Sequence, residues 1–343
     1  MNVCLATYQS AMALKGGPKT QIFQTKRCLE DLGVSVTLFE SWSELQKESV
    51  DLVHLFGANI GTYHLAREIH KLGIPMAVSP IFYTRRPQWF VRSVASVDNL
   101  VRGFAHGVWT DYGLVREICE WAGIVLPNTV SEAQLVQRGL GIPSGKVVFV
   151  PNGVEERFYY ADASMFKKKF GLEGFILNVG HIGPERKNVL RLIRALEKIN
   201  HPAVIIGRVE DNDYGRACLA EAKRNPRLLM LESLPHDSEL LASAYAACKV
   251  FVLPSYYETP GIAAIEAALA GANIVITPKG GARDYFGSEA CYVEPSSVEL
   301  IRHGIISALN RERNDNLRNR MRKEFLWERV GRETLEAYKR VLS

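Results

Sequence analysis

Several features are scarce in this chain of 343 residues, and each scarcity narrows what it can be. Its six cysteines (Cys4, Cys28, Cys119, Cys218, Cys248 and Cys291) are scattered, with no CxxC pair and no histidine–cysteine cluster at metal-ligand spacing. Neither a disulfide framework nor a metal site is therefore expected, and the reducing cytoplasm fits this usage. No apolar run approaches the roughly 18 to 20 residues that span a bilayer, and the opening "MNVCLATYQS" lacks the basic and apolar regions of a signal peptide. Repeats and low-complexity segments are absent. The dinucleotide fingerprint GxGxxG is missing, and in "SAMALKGGPKTQIFQ" Pro18 separates the glycines from Lys19, which breaks the P-loop pattern. Net charge is only +5, enough to suit anionic small molecules or an acidic membrane face but short of a nucleic-acid footprint, so no nucleic-acid partner is expected.

What is present is 47% hydrophobic and 23% charged, the balance of an ordinary globular chain of about two domains. Short apolar runs alternate with longer amphipathic stretches, the pattern of parallel sheets covered by helices. "NVCLATY", "VSVTLFE", "DLVHLFG" and "PMAVSPI" read as the first four strands, with a helix over 19–32, and "IVLPNT" and "VVFVPNGV" continue the series. A second series runs through "FILNVG", a helix over 188–199, "AVIIG", "RLLMLES", "VFVLPS", "NIVIT" and "ACYVEP". The polar, turn-rich segment near 153–163 reads as the linker. The fold class expected is α/β, with two Rossmann-like domains, 1–155 and 156–321, facing across a cleft at the carboxyl ends of their strands. A final helix within 322–343 carries apolar residues at Phe325, Val330, Leu335, Tyr338 and Leu342, so one face of it is buried.

Three loops carry candidate chemistry. Gly16 and Gly17 precede Pro18 at a helix start, where free backbone N–H groups can face a phosphate; a tight strand-to-helix turn explains them equally. In "NVGHIGPERKNVLRLI", Gly180, His181, Gly183, Arg186 and Lys187 stand just before a helix, and two cations there would neutralise a diphosphate leaving group. A solvated basic helix start is the alternative. In "YYETPGIAAIEAALAG", Glu258 lies in the loop past a buried strand, Pro260 and Gly261 open the next helix, and Glu266 is read about two turns in. A wholly helical segment would hold the two carboxylates about 12 Å apart, too far for a retaining glycosidase pair. The spacing suits a long ligand lying across the helix start; a dipole partner and a solvated side chain are the simpler account.

The run "SYYETPGIAAIEAALAGANIVITPKGGARDYFG" resembles the EGFGLxxLEAMAxGxPVVAS…GG signature of the retaining nucleotide-sugar glycosyltransferases of family 4, which have the GT-B fold. "GGPKTQ", "GIPSGKVVFVPNGV", "NVGHIGPERKN", "LPHDSELLASAYAACKVFVLPS" and "FLWERVGRETLEAYKRVL" are similar, in the same order, to five further stations of that family. The resemblance implies that Glu266 holds the ribose hydroxyls of a nucleoside diphosphate sugar and Glu258 contacts the transferred sugar. It implies that Lys187 binds the diphosphate, that Gly16 and Gly17 close over it, and that backbone groups of Gly261 and Ile262 line the sugar–phosphate site. It also implies a closing helix that crosses back to the first domain, a metal-independent reaction without a cofactor, and a saccharide or lipid-linked acceptor, as in bacterial surface-polysaccharide or glycolipid assembly. The chain departs from the family at His181, where arginine is common, leaving Arg186 to supply the second cation. The family's acceptor-side histidine is not evident, since the fourth strand ends in "VSPIFYT", and His106 is a weak substitute. A nucleotide-sugar epimerase of the same fold is the alternative enzyme; a sugar-binding protein would normally carry a secretion signal.

"FVRSVASVDNLVRGF" spaces Phe90, Val94, Val97, Val101 and Phe104 by four and three, an amphipathic helix, with Arg92 and Arg102 inside it and Arg85 and Arg86 upstream. Packing against its own domain is one reading. The other is a rim that meets the inner membrane surface or a lipid-linked acceptor.

Overall fold

In a computed structural model, residues 1–13, 17–102, 109–313 and 315–343 are described. The chain divides into two compact units, Met1–Gly153 together with Trp327–Ser343, and Val154–Leu326. Each is a parallel sheet covered by helices. The expected boundaries, 155/156 and 321/322, fall close to these.

The first unit's sheet comprises β1 (Asn2–Thr7), β2 (Ser35–Leu38), β3 (Leu52–Phe56), β4 (Met76–Ser79) and β5 (Ile124–Val125), in the order β2-β1-β3-β4-β5. Every residue of β3 and β4 is buried, as in a strand covered on both faces, which is why these strands read as unbroken apolar runs. "VVFVPNGV", expected to add a strand, does not. It touches β5 only through an isolated bridge, Val125 to Val147, and through N–H groups of Val148 and Val150 donating to the carbonyls of Val125 and Pro127, each at 3.0 Å. Pro127 has no N–H to return, so the ladder stops there.

The second unit's sheet comprises β6 (Ile176–Val179), β7 (Ala203–Ile206), β8 (Leu228–Leu231), β9 (Val250–Leu253), β10 (Asn273–Ile276) and β11 (Cys291–Tyr292), in the order β11-β10-β9-β6-β7-β8. The order reverses between β6 and β9, and in open α/β sheets ligands bind at the carboxyl ends of the strands flanking such a reversal.

The last helix, Trp327–Leu342, belongs to the first unit. It lies against the helix Gly17–Asp31 so closely that a Cβ on Gly331 would stand 2.7 Å from the Cβ of Cys28. Its Tyr338 hydroxyl is 2.6 Å from His54 Nδ1 on β3, and His54 Nε2 is 2.9 Å from the Ser79 hydroxyl at the end of β4. Burial pushes the imidazole down to about 3, so His54 is neutral and this buried chain of hydrogen bonds is satisfied without charge. The buried face is Trp327, Val330, Gly331, Thr334, Ala337 and Tyr338. Two expected members of that face lie elsewhere. Leu342 is exposed, and Phe325 precedes the helix and stacks on Tyr285 in the second unit's core.

The helix expected over 90–104 runs Gln88–Arg102; Phe104 and His106 lie outside the described residues. It buries Val91, Ala95 and Asp98, one position round from the expected face, and leaves Trp89, Val97 and Leu100 exposed. The sequence is apolar on two sides of this helix, so periodicity alone picked the wrong one.

Candidate functional site

The loops that leave β6 and β9 meet at the reversal of the second sheet. The β6 loop carries Gly180, His181, Gly183, Arg186 and Lys187 and ends in a short 3₁₀ turn, Glu185–Lys187. Asn188 closes that turn in the left-handed conformation (φ 59°), which asparagine tolerates better than most residues. Its amide donates to the carbonyls of Pro254 at 2.9 Å and Pro295 at 2.6 Å, and its Oδ1 accepts from Arg191 at 3.0 Å. Asn188 is fully buried and ties the β6 loop to the end of β9. Before a helix, an asparagine reads from sequence as an N-cap, so its anchoring role gave no signal.

Lys187 and Glu258, 71 residues apart in sequence, are thereby brought together: Lys187 Nζ donates to Glu258 Oε1 at 2.7 Å. Arg186 Nη1 stands 3.7 Å from the same oxygen, donates to the Tyr257 carbonyl at 3.0 Å and lies over the Tyr257 ring. Burial alone would raise the Glu258 carboxyl. The Lys187 and Arg186 cations and the hydrogen bond from Lys187 outweigh it and hold the carboxyl below its ordinary range. The site is thus a buried carboxylate under two cations, with one net positive charge to offer an anion. The Glu258 backbone is fixed as well: its N–H donates to Lys279 O at 3.0 Å, and its carbonyl accepts from Gly281 N at 2.9 Å.

The next helix is Ile262–Leu269, capped by Gly261 with φ 93°. That left-handed glycine keeps Pro260 and Gly261 outside the helix, so Glu266 lies little more than one turn in, not two. Glu266 is buried, and each of its oxygens has a donor: His236 Nε2 at 2.7 Å and Tyr245 hydroxyl at 2.8 Å. Neither partner was singled out in the sequence. Tyr245 sits in the apolar helix Glu239–Ala247, where it reads as core, and a lone histidine before that helix reads as surface.

His181 lies on the rim of the β6 loop, its Nδ1 3.9 Å from Glu210 Oε1. It therefore stands opposite a carboxylate. Gly17 is exposed and begins the helix Gly17–Asp31 in the first unit; Gly16 lies outside the described residues. Among the described residues, no group of three or more histidine, cysteine, aspartate or glutamate side chains is arranged to hold a metal ion, and no helix is long and apolar enough to cross a membrane.

Comparisons with known proteins place this geometry in context. Residues 162–325 match the model of the family "Glycosyl transferases group 1". The O-antigen chain mannosyltransferase B of Escherichia coli is 26% identical over 187 residues, which cover 50% of this chain and 48% of that protein. The chain spans about half the length of the first curated relatives it matches. Among solved structures, sucrose-phosphate synthase from Thermosynechococcus elongatus superposes with a TM-score of 0.77 at 17% identity, covering 98% of each chain. Anabaena HepE in complex with UDP and glucose gives 0.69 at 15% identity, again over 98% of each. At such identities the structural likeness concerns the fold alone. Residues 162–325, just under half of the chain, are thus similar to the glycosyl transferases group 1 family, and the fold is of the GT-B class.

Proposed function

We propose that the protein is a retaining, metal-independent glycosyltransferase that moves a sugar from a nucleoside diphosphate sugar to an acceptor hydroxyl. The observation that carries this reading is the pairing of Lys187 with buried Glu258 at the sheet reversal, with Glu266 on the helix that follows. Diphosphate oxygens would draw the Lys187 ammonium from Glu258 and take Arg186 as a second cation. The released carboxylate would accept from hydroxyls of the sugar, while Glu266 accepts from the ribose and backbone groups of Gly261 and Ile262 line the sugar–phosphate join. His181, on the same loop as Lys187, would stand at the rim of this donor site.

As the bond from the anomeric carbon to the phosphate oxygen breaks, its electron pair stays on the diphosphate, where the two cations stabilise the charge that develops. The acceptor oxygen bonds to the same face of the sugar and gives its proton to the departing phosphate. No cofactor takes part in this scheme. The acceptor is a saccharide or lipid-linked saccharide, and the setting is bacterial surface-polysaccharide or glycolipid assembly at the cytoplasmic side of the membrane. The name of the Escherichia coli relative and the UDP and glucose in the Anabaena complex support this choice.

The test is the product. With a panel of α-linked nucleoside diphosphate sugars and saccharide acceptors in excess EDTA, an α-linked product is expected. An inverted anomer, or activity abolished by EDTA and restored by a divalent metal, overturns the reading.

A further inference from the structure

Glu266 is held in place before any nucleotide reaches it. A carboxylate has about four lone-pair positions, and His236 and Tyr245 take one on each oxygen, leaving one on each for a ligand hydroxyl. Two free lone pairs on neighbouring oxygens match the two adjacent hydroxyls of a ribose.

The imidazole that makes one of these bonds is itself bracketed. His236 Nδ1 stands 3.5 Å from Glu155 Oε2, so the ring bridges two carboxylates, one from the turn that opens the second unit and one from the helix Ile262–Leu269. Arg157 completes the frame: its Nε donates to the same Glu155 oxygen at 3.3 Å and its Nη2 donates to the His236 carbonyl. The Phe158 ring meets the imidazole edge-on, with centroids 6.0 Å apart. The charged and titratable groups facing the ring are therefore Glu155, Arg157, Glu266 and, across Glu266, Tyr245. Only a protonated imidazole donates from both nitrogens; a neutral ring holding Glu266 turns a bare lone pair toward Glu155.

We infer that His236 is a positioning residue of the donor site, its imidazolium bridging Glu155 and Glu266 so that Glu266 presents its free lone pairs to the ribose diol of a nucleotide. This rests on the reading of Glu266 given under Proposed function. The hydrogen bond to Glu266 and the charges of Glu266 and Glu155 raise the imidazole above its ordinary range, outweighing burial and Arg157, so the bridge outlasts that range and is lost as pH rises further. Nucleotide affinity should fall as His236 deprotonates.

The experiment measures dissociation constants from pH 6 to pH 9 for UDP, GDP, ADP and CDP on the full chain, on His236→Gln and on Tyr245→Phe, with Glu266→Ala as reference. Glutamine keeps a neutral donor without titrating, and taking the ratio of parent to variant cancels titration of the diphosphate itself. Parent affinity should fall by about threefold to tenfold across this range relative to His236→Gln, less than the loss of a whole charge-assisted bond. Tyr245→Phe should weaken binding while keeping the parent's pH dependence, and it serves as the measure should His236→Gln not fold. A merely structural role would shift His236→Gln equally at every pH. Parent and His236→Gln curves of the same shape, with Glu266→Ala still weakened, overturn the inference alone; a Glu266→Ala variant that binds like the parent, or no nucleotide binding to the parent, overturns the donor-site reading as well.

Discussion

Gly280 lies against the backbone of Glu258 so tightly that a Cβ there would stand 2.1 Å from the Glu258 carbonyl oxygen. Its φ of 97° is, in addition, one that side-chain-bearing residues rarely adopt. The turn after β10 is thus what sets the height of the Glu258 carboxylate. Gly280→Ala should destabilise the chain by about 3 kcal/mol or more and lower turnover in whatever remains folded. Chemical denaturation checks this; a variant with parental stability and turnover would show that the turn does not hold Glu258.

The Lys187–Glu258 pair makes an asymmetric prediction. Glu258 is almost wholly buried, while the Lys187 side chain keeps 20% of its exposure. Lys187→Ala therefore strands a buried carboxylate, whereas Glu258→Ala leaves an ammonium that can turn to water. The lysine variant should lose about 2 to 3 kcal/mol, below the 3 to 5 typical of a fully buried pair because Arg186 remains 3.7 Å away, and the glutamate variant less. Thermal melts of both decide it. Greater loss in Glu258→Ala contradicts the account.

Glu132, in the first unit, gives a pH prediction. Its carboxyl accepts from the N–H groups of Phe82 at 2.7 Å and Asn128 at 2.9 Å, yet burial pushes it up to about 7 against that help. Since the folded value lies above the unfolded one of 4.5, the stability linked to this group is fully present below about pH 4.5 and lost as pH rises through 7. The loss amounts to about 3 kcal/mol. Glu132→Gln should remove that part of the pH dependence whatever its own cost. Denaturation curves between pH 5 and 8 that decline alike in parent and variant would refute the assignment.

The helix Gln88–Arg102 leaves Trp89, Val97 and Leu100 facing outward, near Arg86 and Arg92. If this face meets an anionic membrane, replacing Arg85, Arg86 and Arg92 with serine should reduce co-sedimentation with anionic liposomes and leave nucleotide binding unchanged. Equal sedimentation of variant and parent assigns the helix to packing alone.

What could be read in the sequence follows from burial. Strands such as β3, β4, β7 and β9 are covered on both faces, so their apolar runs announce them. Glu258, Glu266 and Lys187 could be picked out because glycine, proline and charge cluster around them. Their geometry could not, because Lys187 meets Glu258 only through the strand order that sets β6 beside β9. His236, Tyr245 and Asn188 were invisible for a related reason: each acts through a partner distant in sequence, and locally each looks like surface, core or cap. Leu342 and Val97 misled because a second apolar stripe on a helix carries the same period as the buried one.

The two glutamates carry the proposed grip on the donor. Calorimetric titration of the parent, Glu266→Ala and Glu258→Ala with a bare nucleoside diphosphate and with its sugar conjugate, combined with turnover, measures them directly. Glu266→Ala should bind both ligands about tenfold to a hundredfold more weakly, the loss of a charge-assisted hydrogen bond to the ribose they share. Glu258→Ala should bind the bare diphosphate as tightly as the parent or more so, since Lys187 is released, and should lose turnover. If Glu258→Ala weakens the bare diphosphate as much as Glu266→Ala does, or if Glu266→Ala binds like the parent, the two residues do not grip opposite ends of one sugar nucleotide.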